Sequence, residues 1–298
     1  MSRERKNRRS RNANERANHQ GDLNKRRSRK RKRGLGTRIF LNLLMLIALG
    51  VLVFSVYQIA MTLMPYQQGR QLNQQIRDTY TSIEVVAPAE GVDGAQGAEE
   101  AEVRERFIVD FDALLATNRD TVAWLRFIEP EIISYPVVRS HDNEEYLHRA
   151  FDGSYSQLGS IFMDMDNSPD FSDRNTIIYG HNMAVGGEMF SQLVDFSDIE
   201  FTRENPYFFI YTPDGVQRTY RIFMAATVRA DSLIYRIEFF DDDDFMEYLE
   251  LSRDISAYFI EDDDLDQGAK IVTLSTCTNI VATDRFIIQG VLVEERVQ

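Results

Sequence analysis

"KIVTLSTCTNIVATDRFIIQGVLVEE", residues 270–295, contains the chain's one cysteine and decides how the rest is read. Residues 270–277 form a short apolar, β-branched run, and residues 285–295 form another, so both read as strands. Arg285 follows Cys277 by eight residues, so a tight connection would return the guanidinium beside the thiol. Runs of the same kind recur upstream as "TVAWLRF", "IISYPVV", "GSIFMD", "NTIIYG", "PYFFIYT" and "VQRTYRIFMAATVRA", with "TPDGV" at 212–216 reading as a hairpin turn. Val103, Phe107, Ile108, Phe111, Leu114 and Leu115 recur at helical spacing and predict an amphipathic helix over 103–117. A second helix is predicted over about 241–258, where the leading "DDDD" suits the positive end of a helix better than a metal. "EDDD" at 261–264 reads as a solvated loop, and neither acidic run has the glycine and terminal glutamate spacing of an EF-hand. Some eight strands and few helices in about 190 residues fit a single β-barrel or sandwich with helices at its rim.

The formal net charge of -13 conceals two halves of opposite sign. Residues 1–38 carry sixteen Lys and Arg against three Asp and Glu, leaving 18 basic and 44 acidic residues in the remainder. At the seam, "IFLNLLMLIALGVLVFSVYQIAMTLM" (39–64) has no ionisable group except Tyr57, and it exceeds the roughly 20 helical residues needed to cross a hydrocarbon core. Its length, the long basic region before it and the absence of a clean small-x-small site favour an uncleaved anchor over a signal peptide. Lys and Arg favour the cytoplasmic side, so "KRRSRKRKR" (25–33) is expected inside and everything after Tyr66 outside. The basic tail reads as an orientation signal resting on anionic headgroups rather than as a nucleic-acid binder, because no aromatic residue interleaves it. The organisation expected is therefore a basic cytoplasmic tail (1–38), a transmembrane anchor (39–64), a stalk and linker (65–102) and an extracytoplasmic domain (103–298). Within the third segment, "QLNQQIRDTYTSIEVV" suits a helical stalk, while "APAEGVDGAQGAEEAE" (87–102) has little to bury and reads as flexible.

A lone cysteine in an exported domain has no internal partner. It is either a small buried hydrophobe or a reactive group, and composition alone does not choose. A nucleophilic thiol needs a proton acceptor and a cationic or donor environment for the oxyanion. His141, His148 and His181 are the exported histidines. His181, in "NTIIYGHNM", follows an apolar strand and a glycine at a strand end and is the best placed, although a hydrogen-bonded rim histidine fits equally. His148 suits a surface or rim position, and His141 lies in a polar loop. Arg285 suits an oxyanion, or simply a pairing with Asp284 or another carboxylate.

"TLSTCT" followed by Arg285, with "IIYGHNM" upstream, resembles the sortases, membrane-anchored cysteine transpeptidases of Gram-positive bacteria. The resemblance covers most of 104–294, and "TVAWLRF", "ISYPVV" and "DNEEYLHRAFDGSYSQLGSIFMD" look most like class B. It implies a mainly β fold: a closed eight-stranded barrel with an amino-terminal helix and a helix in the loop before the cysteine strand. It also implies Cys277 as nucleophile, His181 as general acid and base, and Arg285 as binder of substrate carbonyls and the oxyanion. Ser275, with Asn143, Leu147 and Thr276, would line the substrate groove. The implied reaction cleaves a carboxy-terminal sorting motif of the NPxTN or LPxTG kind after Thr. The acyl group then passes to an amine of a peptidoglycan precursor or a pilin lysine, without metal or cofactor. A pilin-polymerising class C enzyme would carry a carboxy-terminal membrane segment and an Asp-Pro-aromatic lid, and neither is expected here. Two alternatives remain: a membrane-tethered cysteine protease with water as acceptor, and a non-catalytic extracytoplasmic binding domain.

Overall fold

Whether the strand runs close on themselves is answered by a computed structural model, which describes residues 3–86, 104–128, 130–131, 133–183, 186–277 and 283–298. The side chains of residues 3–33, 35, 62 and 277 are outside that description, as is the expected linker at 87–102. The chain divides into two compact units, Met1–Leu63 and Met64–Gln298.

Helix α1 (Arg3–Tyr80) runs through the first unit and into the second. Its segment Gly36–Tyr80 contains a stretch long and apolar enough to cross a membrane. Every large apolar side chain from Ile39 to Met61 there is more than half exposed, the condition under which an apolar helix surface needs another covering.

In the second unit, α1 gives way to β1 (Thr81–Val86), which pairs antiparallel with β2 (Arg104–Val109), Thr81 opposite Val109 and Val86 opposite Arg104. Here the sequence reading is corrected twice. Residues 81–86 are strand rather than helical stalk, and the helix expected over 103–117 is only α2 (Phe111–Thr117). The cause is local: "RFIV" has the β-branched and aromatic character that favours strand, and Asp110 ends the strand by capping α2, its Oδ1 accepting from Ala113 N.

The barrel follows. Its strands are β3 (Thr121–Phe127), β4 (Ser134–Val138), β5 (Ile161–Met163), β6 (Asn175–Tyr179), β7 (Tyr207–Tyr211), β8 (Val216–Arg229), β10 (Ile271–Cys277) and β11 (Asp284–Val297). They run in the order β10, β6, β5, β4, β3, β7, β8, β11, and β11 pairs with β10 to close the ring of eight. A two-residue strand, β9 (Tyr258–Phe259), takes the edge of β8 beyond the end of β7. The expected hairpin joins β7 to β8, where Gly215 adopts φ 79° and Thr212 and Val216 close the turn.

Alternation divides the strands' side chains between two cores. Phe127, Ile178, Phe208, Tyr220, Val272, Leu274 and Ile288 fill the barrel. Phe223, Ile287 and Val291 face outward and are covered by Phe245, Tyr248 and Leu249 of α4 (Asp242–Ile255). Asp241 caps α4, and Asp242, Asp243 and Asp244 occupy its first turn, which explains the acidic run by the helix dipole. A short helix, α3 (Ile199–Glu204), precedes β7. The "EDDD" run is not simply solvated: the Asp262 side chain is 2% exposed and pairs with Arg221, which also reaches Asp264 at 3.0 Å. The desolvated carboxylate is met by a guanidinium, as burial requires. Trp124 of β3 is fully buried, its Nε1 donating to Ser134 Oγ at 3.0 Å and its ring 6.5 Å from Phe107 of β2. Ile76 of α1 joins the same cluster.

Gly290 sits at a register shift between β11 and β8, where a Cβ would lie 2.5 Å from the Phe208 ring and 3.1 Å from Tyr220 Cβ. Gly290→Ala is expected to cost about 1–3 kcal/mol through overpacking, read as a lowered urea midpoint of the detergent-solubilised chain.

Candidate active site

Three neighbouring strands bring the sequence-predicted residues to one end of the barrel. The antiparallel β10–β11 ladder sets the backbone of Cys277 directly opposite Arg285. The parallel β6–β10 ladder pairs Asn175 with Ile271 and Tyr179 with Ser275, a constant offset of 96 residues. Gly180 N, donating to Ser275 O at 3.1 Å, continues the contact past the end of β6, and His181 follows it directly. Cys277 and Arg285 thus form one cross-strand row, and His181 lies two residues past the end of β6, the strand on the other side of β10. The thiol itself lies outside the described side chains, as do Thr278 and Asn279.

A cavity of about 280 Å³ opens beside this row, lined by His181, Arg285, Ser275, Thr276, Asn143 and Leu147 together with Phe162, Tyr179, Gly180, Ala230 and Tyr235. Six of the seven expected site residues therefore line one concave surface, and the seventh, Cys277, ends the strand that carries Ser275 and Thr276.

Each wall has a local cause. Gly180 precedes His181 because a Cβ there would lie 2.5 Å from Ile161 Cδ1 and 2.7 Å from the Phe190 ring. Asp142 Oδ1 accepts from the backbone N–H groups of Glu144 and Glu145, shaping the 3-10 turn Glu145–Leu147. Tyr146 anchors that turn in the core, donating to Asp120 at 2.6 Å. The turn presents the Leu147 carbonyl to His181, whose Nε2 donates to it at 2.7 Å. That bond leaves Nδ1 as the basic nitrogen of the neutral ring. Burial pushes the His181 pKa below its usual value; the Leu147 carbonyl opposes the shift and the neighbouring His148 adds to it. His148 is indeed an exposed rim residue, but it also stacks on His181 at 6.1 Å and 22°.

On the other side, Arg285 Nη1 donates to the backbone carbonyl of Asp284 at 3.0 Å. Tyr179 OH donates to Asp164 Oδ2 at 2.8 Å, and Asn143 Nδ2 donates to the same oxygen at 2.9 Å. Burial and Asp164 both push the Tyr179 hydroxyl's pKa up, and Arg285 partly offsets them. Ser275 Oγ bonds Tyr235 OH at 2.8 Å, and the Tyr235 ring stacks on Tyr179. Thr276 is almost fully buried, and its hydroxyl has no hydrogen-bond partner among the described residues.

Sequence reasoning missed Tyr179, Tyr235 and Asp164. Tyr179 was within reach, since it lies two residues before His181 and alternation assigns both to one face. Tyr235 has no local signal. Its loop is placed by distant partners: Asn175 Nδ2 donates to the Ile234 and Arg236 carbonyls, Tyr248 OH donates to Ile234 O, and Arg236 pairs with Asp244.

The closed barrel with this groove at the β6, β10 and β11 ends defines a class of protein. The Sortase domain model matches residues 128–293, and the chain belongs to the sortase family. Within it, the relatives are class B. Sortase B of Listeria monocytogenes is 33% identical over 252 residues, covering 84% of this chain and 95% of that protein. Sortase B of Bacillus anthracis superposes with a TM-score of 0.63 at 27% identity, over 78% of this chain and 99% of that one. A Streptococcus pyogenes class B sortase involved in pilus biogenesis gives 0.55 at 32% identity, over 62% and 98%.

The His181 ring is expected to titrate below its ordinary value of 6.5, because burial disfavours the charged form. His148→Gln should raise that pKa by removing a neighbouring positive charge, while leaving it below 6.5. Histidine-resolved NMR titration reads both.

Proposed function

We propose that this chain is a membrane-anchored class B sortase that transfers surface proteins to an amine of the cell wall or of a pilin. The observation that carries the reading is that His181 and Arg285 line one groove while the backbone of Cys277 stands opposite Arg285 in the β10–β11 ladder. Alternation assigns position 277 to the same face of β10 as Ser275, which lines that groove.

In this reading neutral His181 takes the proton of the Cys277 thiol, and the sulfur attacks the carbonyl carbon after Thr in a sorting motif of the NPxTN or LPxTG kind. A C–S bond forms and negative charge moves onto the carbonyl oxygen, where the Arg285 guanidinium holds it. His181 gives its proton to the departing amine as the C–N bond breaks, leaving a thioacyl enzyme and a neutral imidazole. An incoming amine then attacks the thioester, His181 takes up its proton, and as the C–S bond breaks that proton passes to the departing sulfur, restoring the thiol and the neutral imidazole. One amide replaces another, so no external energy source enters the balance. Ser275 and Tyr235 would form one side of the groove for the sorting peptide, and Asn143, Leu147 and Thr276 the remainder. The basic tail would sit in the cytoplasm, with residues 39–64 crossing the membrane and the barrel outside.

Offering a mixed library of sorting peptides to the detergent-solubilised chain, with mass spectrometry of the trapped thioester, tests the reading and reports the preferred motif. Cys277→Ala should form no adduct, and His181→Ala and Arg285→Ala should each lower turnover by about 10²-fold or more. Added glycine oligomer should divert product from acid to amide; hydrolysis indifferent to the amine would instead identify a protease. The acid limb of kcat/KM is expected below pH 6.5, because the lowered His181 pKa delays its protonation as pH falls.

A further inference from the structure

Seven residues after His181 in the chain lies a buried carboxylate that the reaction above does not use. Glu188 is 3% exposed, with Oε2 accepting from Tyr135 OH at 3.0 Å and Oε1 paired with Arg70 Nε at 3.1 Å. Arg70, half-exposed on α1, also donates from Nη2 to the Gly186 carbonyl at 2.7 Å. The Tyr135 hydroxyl in turn accepts from Met189 N at 3.1 Å, and Asn73 Nδ2 reaches Met189 Sδ at 3.5 Å. Met189 holds φ 58°, a left-handed backbone that a residue other than glycine keeps only where its surroundings impose it.

This cluster is tied directly to His181. Phe190 N donates to the His181 carbonyl at 2.9 Å, and Asn182 bridges antiparallel to Met189. The segment gripped by Arg70 and Glu188 is therefore the return strand of the backbone that carries the imidazole. A desolvated carboxylate demands a charged partner, so docking of residues 64–80 and placement of residues 186–190 are one coupled arrangement. We propose that Arg70 and Glu188 are positioning residues for the transpeptidation, clamping the last turns of α1 onto the segment that holds His181 in the groove. The proposal rests on His181 being the general acid and base. It makes the stretch after the apolar segment a working part of the catalytic unit rather than a spacer.

The test uses the full chain in detergent micelles with ring-labelled histidine, the His181 signal being assigned by its loss in His181→Asn. Arg70→Ala should shift the His181 ring resonances, leave those of His141 in place, and lower kcat about tenfold with KM for a sorting peptide changed less than twofold. Arg70→Lys, which keeps a cation but loses the second donor, should recover part of that loss. Glu188→Gln keeps the acceptor for Tyr135 and supplies the same readout should Arg70→Ala fail to fold. Unchanged His181 resonances and kcat in a folded variant would overturn the proposal, as would a lower Tm with the His181 signals unmoved. Because the resonance shift does not depend on catalysis, it is separable from the mechanism: an active His181→Asn enzyme would remove the acid-base role and leave the clamp to be judged by NMR.

Discussion

A slip of one residue between β6 and β10 would dismantle this site. Arg285 stands opposite Cys277, and β6 delivers His181 beside them, only because both ladders flanking β10 hold their register, and a one-residue shift turns every side chain of a strand to the opposite face. A buried polar network fixes that register from the side. Thr273 Oγ1 donates to Asn175 Oδ1 at 2.7 Å across β6 and β10, and Gln289 Nε2 of β11 reaches both Thr273 Oγ1 and Tyr248 OH. These are directional bonds in a low-dielectric interior, where misalignment strands polar groups at a cost of about 1–3 kcal/mol each.

The same network carries order outward to the groove. Asn175 spends its carbonyl on the strand register and its amide hydrogens on the loop that delivers Tyr235 to Ser275. Tyr248 of α4 serves the identical pair of tasks from the opposite side. The acidic run that opens α4 thus matters to the site indirectly, since Asp244 secures Arg236 and the Phe240 N–H and so sets the end of that loop. On the far wall, burial shifts His181 toward the neutral ring, and the Leu147 carbonyl fixes its tautomer so that Nδ1 is the nitrogen that can accept a proton.

Much of this was legible in the residues. The strand runs, the 212–216 turn and α4 with its acidic start follow from alternation, turn chemistry and the helix dipole, whereas the gathering of His181, Arg285, Ser275, Asn143, Leu147 and Thr276 at one groove was implied by the resemblance to the sortases and not by spacing. The failures have a common cause. The helical spacing of Val103 to Leu115 is compatible with strand over its first half, and nothing local announces that residues 81–86 supply the partner. The "EDDD" run looked solvated because the arginine that buries Asp262 lies 41 positions upstream. Tyr235 and Glu188 are likewise placed by partners far away in the chain, which composition and periodicity do not register.

The chain's single tryptophan lies at the contact between the barrel and the segments before it. Trp124 is sealed among Phe107 of β2, Ile76 of α1 and the wall of the barrel, with its indole nitrogen bonded to Ser134. Lifting those preceding segments away would hydrate the indole and redden its emission. The protein therefore carries a built-in fluorophore for the seam, inside its second unit, between the barrel and the segments packed on it, readable without a label.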